Sequence, residues 1–232
     1  AVEPGDIVVN CAAYTAVDAA EADVELAMQV NGHGAGNVAK ACAAQGALMI
    51  HLSTDYVFAG DATEPYREDT PPAPLSAYGR SKAAGEAEVI ASGAEHLLVR
   101  TGWLYGASGT CFPRTIARIA RERGAVSVVA DQFGQPTWTR DVVQYIVALV
   151  EAEAPSGTYH GTASGQTSWF EFAREVCLSA GLGDIVTPIR SSDYPQRARR
   201  PAWSVLGHDA HEALGIPSIG NWLERWRVAA PE

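Results

Sequence analysis

A doubly wound parallel α/β sheet with a small mixed C-terminal lobe is the fold class that this 232-residue sequence predicts. Three observations carry the expectation. Short, continuous apolar runs recur at 7–10, 48–53 and 97–100, without the alternation of a strand that has one wet face. A helical stretch follows each run, and that rhythm is the pattern of a parallel sheet with helices on both faces. After about Pro155 the rhythm gives way to proline-rich chain.

In chain order, Ile7-Val8-Val9-Asn10 is the first strand, with the small residues Cys11-Ala12-Ala13 behind it. Residues 21–45 form an alanine-rich helical stretch that can lie close against a sheet, with a break expected at 32–36 where glycines cluster. Leu48-Met49-Ile50-His51-Leu52-Ser53 is the second strand. A polar, proline-rich loop covers 60–75, and a helix follows over 76–91. Leu97-Leu98-Val99-Arg100 is the third strand, and an amphipathic helix runs from Phe112 to Arg123. Val126-Ser127-Val128-Val129 is a further strand, 139–153 a helix and Gly157-Thr158-Tyr159-His160 a short strand. Ser168, with Glu171 three residues on, has the spacing of a capping box and starts a helix to about 180. Pro188, Pro195, Pro201 and Pro217 predict a loop-rich tail that packs by docking.

Composition excludes several classes. Asp and Glu total 27 against 17 Lys and Arg, a net charge of −10, so no nucleic-acid partner is expected, because phosphates demand surplus positive charge. No apolar run reaches the ~18 residues of a membrane span, and the opening decapeptide lacks the basic and apolar regions of a secretory signal. A soluble, cytoplasmic protein with no membrane partner is expected. Cys11, Cys42, Cys111 and Cys177 are far apart, so neither a disulfide framework nor a metal site is expected. His208 and His211 have H-x-x-H spacing without further ligands nearby and are expected on the surface near a helix start.

The spacing that carries chemistry is Tyr78-Gly79-Arg80-Ser81-Lys82. Tyrosine and lysine at i and i+4 share one helix face. An isolated phenol, with a pKa near 10, is a poor acid–base group at neutral pH; a nearby ammonium favours the phenolate and prepares it for proton transfer. Ser53-Thr54-Asp55 stands at the carboxyl end of a buried strand, where open α/β sheets place their ligands. A hydroxyl there can hydrogen-bond a carbonyl oxygen that the tyrosine also approaches. For either hydroxyl alone, capping the strand end is the competing role.

Four runs occur together in one order: Cys11-Ala12-Ala13-Tyr14-Thr15-Ala16-Val17-Asp18, Ser53-Thr54-Asp55-Tyr56-Val57-Phe58, the Tyr78 to Lys82 pentad, and Val99-Arg100-Thr101-Gly102-Trp103-Leu104-Tyr105-Gly106. With Asp131-Gln132-Phe133-Gly134-Gln135-Pro136-Thr137 and Arg200-Pro201-Ala202-Trp203-Ser204-Val205-Leu206, the chain resembles the extended short-chain dehydrogenase/reductases, and within them the dTDP-4-dehydrorhamnose reductases, from Asp6 to about Trp222.

The resemblance implies a Rossmann-type sheet and reduction of the C4 ketone of a dTDP-linked 4-keto-6-deoxy sugar by NADPH or NADH. It implies that Tyr78 donates the proton, that Lys82 lowers its pKa and holds the nicotinamide ribose, and that Thr54 hydrogen-bonds the reacting oxygen. Cys11, Ala12, Ala13, Tyr14, Thr15 and Leu52 would lie along the cofactor with Tyr78 and Lys82. Val17, Thr54, Asp55, Tyr56 and Trp103 would line the substrate pocket, and Arg200 would meet the diphosphate, whose oxygens suit a guanidinium fork. For Trp103 a role as a core aromatic competes, and for Arg200 a place in a solvated basic patch with Arg197 and Arg199.

The same resemblance divides the chain into the remainder of a dinucleotide-binding domain at 1–155 and a mainly substrate-binding lobe at 156–232, with some segments crossing between them. It further implies a homodimer as an open possibility. The family opens with a glycine-rich strand-turn-helix that holds the pyrophosphate; no such run precedes Ile7, and a preceding segment of roughly 50–60 residues is expected, at ~30 residues per βαβ unit. Two other functions stay open: a non-catalytic dinucleotide-binding regulatory subunit, and a nucleotide-sugar epimerase or dehydratase for which Asp55-Tyr56 would supply an extra acid or base.

Overall fold

The computed structural model describes residues 2–230. In chain order the elements begin with β1 (Ile7–Asn10), α1 (Val17–Ala20), α2 (Val24–Ala27), α3 (Ala35–Gln45), β2 (Leu48–Thr54), α4 (Ala77–Ala91) and β3 (His96–Thr101). They continue with β4 (Leu104–Tyr105), α5 (Phe112–Arg123), β5 (Val126–Val129), β6 (Phe133–Gly134), β7 (Thr137–Trp138), α6 (Thr139–Glu151) and β8 (Gly157–His160). The last are β9 (Thr167–Ser168), α7 (Trp169–Ser179), β10 (Val186–Ile189), α8 (Asp209–Ala213) and α9 (Trp222–Ala229).

The expected parallel sheet is present, in the order β1-β2-β3-β8. Its register places Asn10 beside His51 and Thr54 beside Thr101, so the strands finish at a common carboxyl edge. Both faces are covered. Ala35, Ala39 and Cys42 of α3 pack with Met49 and Val89 on one side, and Ile50, Leu97 and Val99 pack with Tyr145 and Leu149 of α6 on the other. Alanines on α3 let the helix approach the sheet where larger side chains would hold it away.

A second core is built around aromatic rings: Tyr105, Trp138, Phe172, Trp222 and Trp226, with α5 and α7 covering the two-stranded parallel β5–β10 pair. No helix among the described residues is long and apolar enough to cross a membrane.

Three expectations need correction. The helical stretch is not broken at 32–36: α2 passes through a wide π-type turn over Met28–Gly34 directly into α3, and the interruption falls instead between α1 and α2. The glycines serve close packing, since a Cβ at Gly36 would overlap Glu88 of α4, and one at Gly85 of α4 would overlap the Asn31 carbonyl. The proline-rich tail is not all loop: it contributes β10, α8 and α9, and Pro188 sits in a strand with a single partner, where a missing N–H is tolerated. His211 is not on the surface. It is buried, with its ring 5.2 Å from that of Tyr145, because α8 docks back onto the end of β8.

Candidate active site

At the end of β2 the chain turns sharply through Asp55–Val57, and the Thr54 hydroxyl accepts the Tyr56 N–H at 3.2 Å. Helix α4 starts against that turn. Ser76 caps it by accepting the Gly79 N–H at 3.1 Å, and only a glycine fits at 79, because a Cβ would overlap the Tyr56 carbonyl. This close approach places Tyr78 beside Thr54 on the cavity wall and sets its ring edge-on to Tyr56, centroids 5.9 Å apart. Lys82, one turn later, is 2 % exposed. Its Nζ donates to the Leu52 carbonyl at 2.6 Å and lies 3.4 Å from His51 Nε2.

A cavity of about 340 Å³ opens at this edge, lined by Thr15, Val17, Thr54, Asp55, Tyr56, Tyr78 and Trp103, with Trp169. Trp103 follows β3 with φ of +50°, a left-handed conformation uncommon outside glycine. Its indole packs over Gly134, where any Cβ would overlap it, and stacks on Trp169 with centroids 3.4 Å apart. A neighbouring cavity of about 410 Å³, between α5, β5 and the chain at 189–200, shares Val17, Tyr56 and Trp169 with the first and contains Arg200. Arg200 forms a two-pronged ion pair with Asp18 at 2.6 and 3.2 Å.

Burial dominates the electrostatics. It pushes Tyr78 up to about 12, against the pull of the Thr54 hydroxyl and with Asp55 adding to the rise. Contrary to the expectation from the i, i+4 spacing, the phenol is not made acidic by Lys82, because burial outweighs the ammonium. It lifts Asp55 to about 6, despite hydrogen bonds from Ser204 and Thr54, and raises Tyr56 as well. Burial brings Lys82 down to about 8, with Glu86 pulling it back up. Glu86 is itself held by Ser53 at 2.5 Å and by both arms of Arg100. The set can therefore present a protonated phenol and a hydroxyl to one point in the cavity, with a weakly basic amine behind them.

Of the residues singled out from sequence, Thr15, Val17, Thr54, Asp55, Tyr56, Tyr78 and Trp103 are brought together around one cavity. Arg200 lies in the adjoining one, and Lys82 and Leu52 lie behind the wall, joined to each other. Cys11 and Ala12 are exposed on the loop after β1, and Ala13 and Tyr14 are half-buried. The Tyr14 hydroxyl turns outward to Asp23 at 2.8 Å, so this loop offers main chain and small side chains to a ligand.

Three residues of the site escaped sequence reasoning. Asn31, on the π-type turn, accepts the Tyr14 N–H at 2.7 Å, donates to the Tyr14 carbonyl at 3.0 Å and lies 2.9 Å from the Ser81 hydroxyl. An asparagine beside a glycine in an alanine-rich stretch was its only signal. His51 was visible as a polar interruption of an apolar strand. Trp169 had no signal beyond its place after a capping serine.

Comparison with known proteins agrees with this geometry. The family model described as RmlD substrate binding domain matches residues 2–230. The chain is 44% identical over 232 residues to a probable dTDP-4,6-dihydroxy-2-methyloxan-3-one 4-ketoreductase of Streptomyces antibioticus, covering 99% of this chain and 78% of that protein. It is 44% identical to a dTDP-4-dehydrorhamnose reductase of Burkholderia thailandensis, covering 97% and 79%. The crystal structure of dTDP-4-dehydrorhamnose reductase from Bacillus anthracis in complex with NADP superposes with a TM-score of 0.91 at 41% identity, covering 96% of this chain and 80% of that one.

Proposed function

The chain belongs to the RmlD substrate binding domain family, and on that premise we propose that it reduces the C4 ketone of a dTDP-linked 4-keto-6-deoxyhexose with NADPH or NADH, a step of deoxysugar biosynthesis. The observation that carries this reading is the juxtaposition of Thr54 and Tyr78 on one cavity wall, with Lys82 one helical turn behind on α4.

A reduction needs a proton donor at the carbonyl oxygen. Tyr78 suits that part because burial keeps its phenol protonated at neutral pH, and Thr54, whose hydroxyl donates to Asp55 at 2.9 Å in this structure, would turn that proton to the same oxygen. Lys82, on the same helix one turn on, would stabilise the phenolate once the proton has gone. The nicotinamide, when bound, supplies the hydride. Lys82 would hold its ribose hydroxyls and 11–15 is a rim of mostly small side chains on the loop after β1, while in this structure the lysine Nζ lies behind the cavity wall on the Leu52 carbonyl. In this reading the deoxysugar lies between Tyr78 and Trp103, and the nucleoside diphosphate extends into the cavity beside Arg200. Residues 1–155 then serve mainly the cofactor and 156–232 mainly the sugar nucleotide, with α5 and β5 crossing to the second lobe.

The test is NADPH oxidation on a dTDP-4-keto-6-deoxy sugar, with sugar-nucleotide binding measured in parallel by calorimetry. Tyr78→Phe is expected to lower kcat by roughly 10²–10⁴, the contribution of general acid catalysis, while binding persists. Undiminished turnover in Tyr78→Phe overturns the reading, as does a chain that binds both ligands and turns over neither.

A further inference from the structure

Behind the proposed acid lies a polar chain that reaches the end of β1. His51 is fully buried between Asn10 and Lys82. Its Nδ1 lies 3.1 Å from Asn10 Nδ2, and its Nε2 lies 3.4 Å from Lys82 Nζ. The orientation of the Asn10 amide is set by its other end, because Asn10 Oδ1 accepts the Ala12 N–H at 3.2 Å. Asn10 therefore presents N–H to the imidazole, which must accept at Nδ1 and carry its proton on Nε2. That N–H points at Lys82.

An ammonium has three donors and no acceptor, so it is mismatched with a ring that donates from Nε2. A neutral amine has a lone pair and fits. The charged lysine would need the opposite ring, with the proton on Nδ1 and the Nε2 lone pair turned to the ammonium. The Asn10 amide would then rotate to offer its oxygen, and the Ala12 N–H would lose its acceptor.

We propose that His51 is a positioning residue that couples the charge of Lys82, through its own tautomer, to the orientation of the Asn10 amide on the loop where the cofactor is expected to lie. The lysine, the imidazole and the amide then have two matched arrangements: amine with Nε2–H, and ammonium with Nδ1–H. The nearby titratable groups do not share this dependence, and of them only Glu86 acts directly on Lys82. Tyr78 is a turn earlier on α4. Glu86, a turn later, is locked by Ser53 of β2 and Arg100 of β3, and Asp55 accepts the Thr54 hydroxyl. The coupling would let an event at residues 10–12 change the proton held next to Tyr78. Only this last consequence rests on the reductase reading.

The sequence makes the test direct, because it holds two lysines, Lys40 and Lys82. With ¹³Cε-lysine and ¹⁵N-histidine labels, NMR follows the Lys82 charge and the His51 tautomer across pH, without substrate; His51→Gln assigns the ring. In the unmodified chain the ring proton is expected to move from Nδ1 to Nε2 with the same midpoint as the loss of the Lys82 proton. Asn10→Asp, whose carboxylate fixes the proton on Nδ1, is expected to raise the Lys82 midpoint by about one pH unit, and by clearly less in the His51→Gln background. A His51 that keeps one tautomer while Lys82 titrates overturns the proposal. So does an Asn10→Asp shift of equal size in both backgrounds, which would be charge acting through space. Neither readout depends on turnover, so failure here is distinct from failure of the reductase assignment.

Discussion

Arg100 and Glu86 form a bidentate ion pair, Nε to Oε1 at 3.0 Å and Nη2 to Oε2 at 2.8 Å, with both side chains at most 5% exposed. The pair ties β3 to α4 directly behind Thr54 and Lys82. Removing one partner leaves the other charge buried and unmatched, so Arg100→Ala is expected to destabilise the fold by about 3–5 kcal/mol, read as a lower urea midpoint. Replacing both partners with leucine and methionine should recover most of that loss. A single Arg100→Ala variant with unchanged stability would show that the pair contributes nothing.

Asn31 joins two parts of the site that lie far apart in sequence, holding both polar groups of the Tyr14 backbone and touching Ser81 on α4. Asn31→Leu leaves the Tyr14 N–H and carbonyl without those partners in a half-buried setting, at a cost of about 1–3 kcal/mol for each group left unsatisfied. Thermal unfolding should register the loss. The KM for the dinucleotide should also rise, since the 11–15 loop loses its anchor.

Gly134 supports Trp103 from below. Gly134→Ala places a methyl group into the indole and is expected to push Trp103 off its Trp169 stack. The global cost should be small, because Trp103 is half-buried and can move outward. Sugar-nucleotide KM should rise several-fold, and tryptophan fluorescence should change. An unchanged KM would remove Trp103 from the substrate-facing wall.

The pH dependence of stability follows from His51, His160, His208 and His211. Burial lowers all four, His51 and His160 to about 3 and His208 to about 4. An unfolded histidine takes up its proton near 6.5, whereas these folded ones do so at lower pH. As pH falls from 6.5 towards 4 the unfolded state therefore binds more protons, and stability is lost, at about 1.4 kcal/mol for each unit of separation per group. Above 6.5 they have no effect. Asp55, raised to about 6 by burial, acts with the opposite sign below that pH and offsets part of the loss. Denaturant titrations at pH 7.5 and 5 should show the decline, and His160→Gln should flatten it. Equal midpoints at both pH values in the unmodified protein would contradict this account.

Local periodicity determined a great deal here. The strands at Val126–Val129 and Gly157–His160 and the helix Phe112–Arg123 fall on the residues the sequence marks for them, and the i, i+4 spacing of Tyr78 and Lys82 set them on one helix face. These features were legible because strand and helix geometry repeats every few residues, so neighbours in sequence report it. Only the tertiary structure decided the rest. The Arg200–Asp18 pair spans 182 residues, Asn31 reaches Ser81 across 50, and His51 meets Lys82 because two elements happen to cross. His211 became a core residue when α8 folded onto β8. Polar partners at such separations are chosen by the crossing of elements, a global property, and no periodicity in the sequence encodes it.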